Sequence, residues 1–146
     1  MPNYGKKEYW DKRYKTSHRS FDWLEDWKSL KGILGSLINK KDKILNIGCG
    51  NATITEEMYD EGYENIVNMD ISPIVIEQMK QKNASRTNMI YEVGDMMNMK
   101  YENDEFDVIL DKSKYIPPKK TFLLNQISLL TFTKTHDNHC LEIILP

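Results

Sequence analysis

The chain has 146 residues, 40% of them hydrophobic and 29% charged, which suits one globular domain burying about two-thirds of its unfolded surface and excludes disordered and fibrous classes. No long apolar run is present and the N-terminus MPNYGKKEYW lacks a signal core, so no membrane partner is expected and the default location is cytoplasmic. Net charge is −2, with ten Lys/Arg against five acids in residues 1–41 and ten against seventeen in 42–146; the basic residues are interspersed with acids, the pattern of a solvated face rather than a nucleic-acid surface.

From Trp27 onward, Leu30, Ile33, Leu34, Leu37 and Ile38 recur at helical spacing and predict an amphipathic helix over 25–38. The period then changes. Residues 43–47 (KILNI) read as a short strand ending at Gly48-Cys49-Gly50, and Thr53-x-x-Glu56 is a capping-box signature for a helix that Gly62 would stop. Residues 65–70 (NIVNMD) form the next expected strand. Ser72 as N-cap and Pro73 at the first helical position open a helix to about Asn83. Two more strands are expected at 88–93 and 106–110, the second apolar enough to lie inside a sheet. Alternation of strand and helix predicts an α/β fold with a mainly parallel sheet and right-handed crossovers. Further on, 121–130 reads as helix, 133–139 as a turn and 140–145 (CLEIIL) as a fifth strand. Cys49 and Cys140 are expected to be free thiols, and His136, His139 and Cys140 lack the further ligands a metal site needs.

A glycine turn between strand and helix lets backbone approach a ligand, and the helix N-terminus adds unpaired N–H groups. Gly48 and Gly50 alone are a weak signal. Asp70 strengthens it, standing 20 residues beyond Gly50 at the end of the next strand, where a carboxylate can accept ribose hydroxyls. A dinucleotide site would carry a third glycine where Thr53 stands, so a pyrophosphate fits poorly. S-adenosylmethionine has no phosphate and needs only the close backbone approach. Asp95 follows the third strand, where its carboxylate could accept an adenine amine while Met96 packs on the ring; a solvent-facing loop acid is the alternative. Asp111 and Lys112 close the fourth strand at the same edge.

Together these residues resemble the Rossmann-fold (class I) S-adenosylmethionine-dependent methyltransferases, and more narrowly the methyltransferase-like group that includes a lysine methyltransferase of eukaryotic elongation factor one alpha. The likeness spans about residues 4–112 and rests on EYWDKRY (8–14), FDWLEDW (21–27), ILNIGCGNA (44–52), NMDIS (68–72), VGDM (93–96) and FDVILDK (106–112). It implies a doubly wound, mainly parallel Rossmann-like sheet in one domain, with an N-terminal helical lid (1–40), a cofactor-binding core (41–112) and a shortened C-terminal part (113–146). It also implies cofactor contacts from Trp10, Tyr14, Trp23, Gly48, Asp70, Ile71, Asp95, Met96 and Lys112. Trp10 and Tyr14 share a helical face, which suits core packing as well as a sulfonium, since aromatic faces receive cations.

The general motif would place an acid at Asn46 and a third glycine at Ala52. After Asp111 only 35 residues remain, and the antiparallel pair that normally finishes such a sheet is expected to be missing. The 140–145 strand should then cover the apolar edge of 106–110, within the chain or by exchange in a homodimer. Three functions follow as expectations: methylation of a protein side chain, lysine, with Asp111 as the one nominated catalytic acid and S-adenosylhomocysteine as product; cofactor binding without catalysis, with methyl transfer weak; or, least fitting, a nucleotide-binding module.

Overall fold

A computed structural model describes residues 6–17, 19–20, 26–102, 105–112, 130–136 and 139–145. Two helices, α1 (Lys7–Thr16) and α2 (Trp27–Leu34), precede β1 (Ile44–Ile47), α3 (Ile54–Asp60), β2 (Ile66–Asp70), α4 (Pro73–Lys82), β3 (Met89–Val93), a short 3₁₀ turn at Met96–Asn98, β4 (Val108–Lys112), β5 (Leu130–His136) and β6 (His139–Leu145). The sheet order is β3-β2-β1-β4-β5-β6. The first four of these strands run parallel, and β5 and β6 are antiparallel. The expected α/β, Rossmann-like architecture is therefore present. Among the described residues, no helix is long and apolar enough to cross a membrane.

Strand alternation divides the apolar side chains between two faces. On one, Ile44, Ile66, Val108 and Leu110 meet Trp27, Leu30 and Leu34 of α2, Ile54 and Met58 of α3, and Val75, Ile76 and Met79 of α4. The opposite face gathers Leu45, Ile47, Val67, Met69 and Phe106, with Met96, Tyr101 and Ile109 packed against them. On the helix-covered face, Asn46 and Asn68 sit side by side in register. Both are buried, and Asn46 Nδ2 donates to Asn68 Oδ1 at 2.9 Å. A buried acceptor left without its donor costs about 1–3 kcal/mol. Asn46→Leu should therefore lower the urea unfolding free energy by about that amount, and Asn46→Leu/Asn68→Leu should recover much of it.

Several expectations are corrected. The α2 helix is shorter than 25–38: Asp26 caps it, accepting from Ser29 N at 2.9 Å, and beyond Leu34 the chain closes a turn in which Leu37 and Ile38 both donate to Leu34 O. Leu30, Leu34 and Ile38 are buried as the spacing implied, because a tight turn meets the same apolar demand, but Ile33 is exposed. The capping box does not form. Thr53 makes no side-chain cap bond; its hydroxyl donates to Glu57 at 2.8 Å, while Glu56 is buried against Asn83 and Lys82. Gly62 does end α3, at φ 97°.

The C-terminal expectation is also corrected. The segment 133–139, taken as a turn, belongs largely to β5, which pairs antiparallel with β4 from Val108↔Lys134 to Lys112↔Leu130. The 140–145 segment lies in β6 and pairs with β5, not with 106–110. An antiparallel pair thus covers the β4 edge within one chain. Alternating Thr131, Thr133 and Thr135 suit a strand, which the turn reading of TKTHDNH overlooked. Of the helix expected at 121–130, residues 121–129 lie outside the described residues, and Leu130 opens β5.

Candidate functional site

The parallel strands deliver their C-terminal ends to one edge, where open α/β sheets place ligands. β1 turns immediately into Gly48 and Gly50, at φ 62° and 51°, a left-handed region that costs a side chain roughly 1–2 kcal/mol. Gly50 is required on a second ground: a Cβ there would stand 2.8 Å from the Tyr14 hydroxyl. The turn is stitched to β2, with Cys49 N–H donating to Met69 O at 3.0 Å.

Asp70 is the centre of this edge. Its buried carboxylate accepts Gly50 N–H at 3.0 Å on one oxygen and Ser72 N–H at 2.9 Å on the other. Its carbonyl accepts Gly94 N–H at 3.0 Å, so one residue fastens the turns that follow β1, β2 and β3. A Cβ at Gly94 would press on the buried Met69 side chain. An ionised carboxylate accepts about four hydrogen bonds, so holding the turn and receiving ribose hydroxyls are compatible roles. Glycines at 48 and 50, which leave the backbone open to close approach, and this acid fit an adenosyl ligand that carries no phosphate.

The N-terminal helix closes one side. Tyr14 is 6% exposed, and its phenol is pushed upward, first by burial and then by the charge of Asp70, so it stays protonated. Half-buried Trp10 stacks on Tyr14 with ring centroids 6.0 Å apart, and the Arg13 guanidinium lies 5.9 Å from the centre of the Trp10 ring. Core packing and proximity to the glycine turn coincide here. Three polar ties fasten this segment: Ser72 Oγ to Asp11 at 2.5 Å, Gln78 Nε2 to Tyr14 O at 3.0 Å and Asn51 Nδ2 to Arg19 O at 2.8 Å.

The other expected site residues are more dispersed. Gly48 and Ile71 are half-buried beside Gly50 and Asp70. Asp95 is exposed and accepts Met97 N–H at 2.9 Å, capping the 3₁₀ turn, while Met96 packs against the Leu45–Met69 cluster. Asp111 is paired in register with Ile47 and falls by alternation on the face opposite Asp70. Lys112 ends β4, and Trp23 lies outside the described residues. Asp11, Ser72, Gln78, Asn51 and Gly94 were not singled out from sequence for the site. Gly94, between a strand and an acid, carried a local signal; Asp11 did not, because its partner is 61 residues away.

The profile of a methyltransferase domain family matches residues 38–136. The chain is 40% identical over 111 residues to the eEF1A lysine and N-terminal methyltransferase of Homo sapiens, covering 75% of this chain and 16% of that protein. It is 32% identical over 111 residues to EEF1A lysine methyltransferase 4 of Mus musculus, covering 75% and 44%. It therefore spans less than half the length of these relatives. Among solved structures, the PH0226 protein of Pyrococcus horikoshii OT3 is 26% identical with a TM-score of 0.51, covering 66% of this chain and 48% of that one.

Proposed function

This chain belongs to the methyltransferase domain family, and we propose that it binds S-adenosylmethionine at the Asp70 edge and directs methyl transfer to a lysine side chain of a protein. The observation that supports this most is the Asp70 carboxylate holding the Gly50 and Ser72 N–H groups beside a turn of two left-handed glycines. The relatives' names, which specify lysine methylation of an elongation factor, support the acceptor class. When bound, S-adenosylmethionine supplies a methyl group on a positively charged sulfur.

In this reading Gly48 and Gly50 admit the ligand to the backbone, and Asp70 receives the ribose hydroxyls with Ile71 alongside. Asp95, Met96 and Lys112 complete the adenosyl surroundings, and Trp10, Tyr14 and Trp23 supply aromatic surface. Positioning of donor and nucleophile carries most of the rate in such a displacement. An acceptor lysine has an ordinary pKa of about 10.4 and must attack as the neutral amine, so a dry site that disfavours the ammonium, or a carboxylate that takes its proton as a general base, assists. Asp111 is the acid we assign to that task.

Tritiated S-adenosylmethionine incubated with this chain and purified elongation factor one alpha should label lysine on the factor. Cofactor binding with no label on it would favour the binding-only alternative. Deleting residues 1–24 removes Tyr14 and all three polar ties, and should abolish or sharply weaken S-adenosylhomocysteine binding while circular dichroism still reports the sheet. Normal binding by the shortened chain would make the aromatics core residues alone.

A further inference from the structure

We propose that Asp11 and Ser72 form a latch that couples α1 to the cofactor site, making Asp11 a positioning residue for bound cofactor; this rests on the cofactor reading above. Ser72 is fully buried at the N-cap of α4. A serine there normally turns its hydroxyl back onto the N–H groups of its own helix. Here it makes no cap bond, and Pro73 at the first helical position has no N–H to satisfy. The hydroxyl instead donates to Asp11 Oδ1 at 2.5 Å, while the Ser72 backbone N–H donates to Asp70 Oδ1 at 2.9 Å. One residue therefore bonds the proposed ribose acceptor through its main chain and α1 through its side chain.

The far side of the latch is equally defined. Asp11 Oδ2 accepts from Lys7 Nζ at 2.6 Å. Burial pushes the Asp11 carboxyl up, but hydrogen bonds from Lys7 and Ser72 and the charges of Lys7 and Lys15 outweigh it and hold the group below its ordinary 3.8. Asp11 is thus an ionised acceptor. Tyr14 lies three residues beyond it, on the same face of α1, with its carbonyl held by Gln78 and its hydroxyl against Gly50. A rearrangement at Asp70 reaches Trp10 and Tyr14 through a single buried serine.

The test uses the full chain labelled with 5-fluorotryptophan, the Trp10 fluorine resonance being assigned by its loss in Trp10→Phe. S-adenosylhomocysteine is titrated by calorimetry and by fluorine NMR. Asp11→Ala should weaken binding about ten-fold, the scale of one charge-assisted hydrogen bond, and the Trp10 resonance should cease to respond to ligand. Asp11→Asn keeps an oxygen for the Ser72 hydroxyl and should restore both. Ser72→Ala should repeat the loss, and the double variant should be no worse than either single one.

Wild-type affinity and response in Asp11→Ala would overturn the latch, as would equal loss in Asp11→Asn, which would assign the effect to the Lys7 pair. If the unmutated chain fails to bind S-adenosylhomocysteine, the cofactor reading fails instead. The ligand-free spectra then decide the α1 docking: a shift of the Trp10 resonance toward its unfolded position in Asp11→Ala supports it, and an unchanged resonance overturns it.

Discussion

Asp70→Ala is expected to raise the dissociation constant for S-adenosylhomocysteine about 10- to 100-fold, through loss of charge-assisted bonds to ribose hydroxyls worth on the order of 1.5–3 kcal/mol. The same change should also destabilise the fold. Gly50 N–H and Ser72 N–H both end on this buried carboxylate, and each donor left without an acceptor costs about 1–3 kcal/mol. Asp70→Asn does not rescue both, because an amide offers one acceptor oxygen and turns a donor toward the other N–H. Calorimetry reads the affinity and urea unfolding the stability. An unchanged dissociation constant in a folded variant would remove Asp70 from the ligand site and leave it a structural tie.

Gly50→Ala should produce the next largest effect, and Tyr14→Phe should relieve part of it. Alanine at φ 51° is strained by roughly 1–2 kcal/mol whatever surrounds it, and its methyl would press on the Tyr14 hydroxyl at 2.8 Å, with the ring carbon behind it at 3.8 Å. Removing the hydroxyl leaves ordinary van der Waals separation. The two substitutions should therefore be non-additive by about 0.5–3 kcal/mol in a double-mutant cycle of unfolding free energies. Equal cost of Gly50→Ala in both backgrounds would show that the close contact with Tyr14 does not constrain the turn.

What was legible in the sequence was local. Strand β2, the Ser72-Pro73 start of α4 and the Gly62 stop of α3 each carry their own signal within a few residues, and each lies where expected. Asp70 could be placed from its spacing to Gly50. Its engagement with the Gly50 N–H could not, because a hydrogen bond between neighbouring strand ends depends on register; the Ser72 N–H, two residues on, is a local Asx-type bond. The capping box failed for a related reason: burial drew Glu56 toward Asn83 and Lys82, and tertiary packing outweighed a local preference. The β5–β6 pair was missed because its polar first strand resembles a loop, whereas its apolar second strand was seen but assigned the wrong neighbour. Asp11 carries no local signal, because its partner Ser72 lies 61 residues away.

We propose that the Asp70 edge holds an adenosyl ligand without phosphate. Calorimetric titration of the intact chain with S-adenosylhomocysteine, NAD and ATP in parallel tests it most directly. Saturable binding of S-adenosylhomocysteine alone, weakened by Asp70→Ala, is the expected result. Binding of NAD or ATP in preference to S-adenosylhomocysteine, or S-adenosylhomocysteine binding indifferent to Asp70, would contradict it.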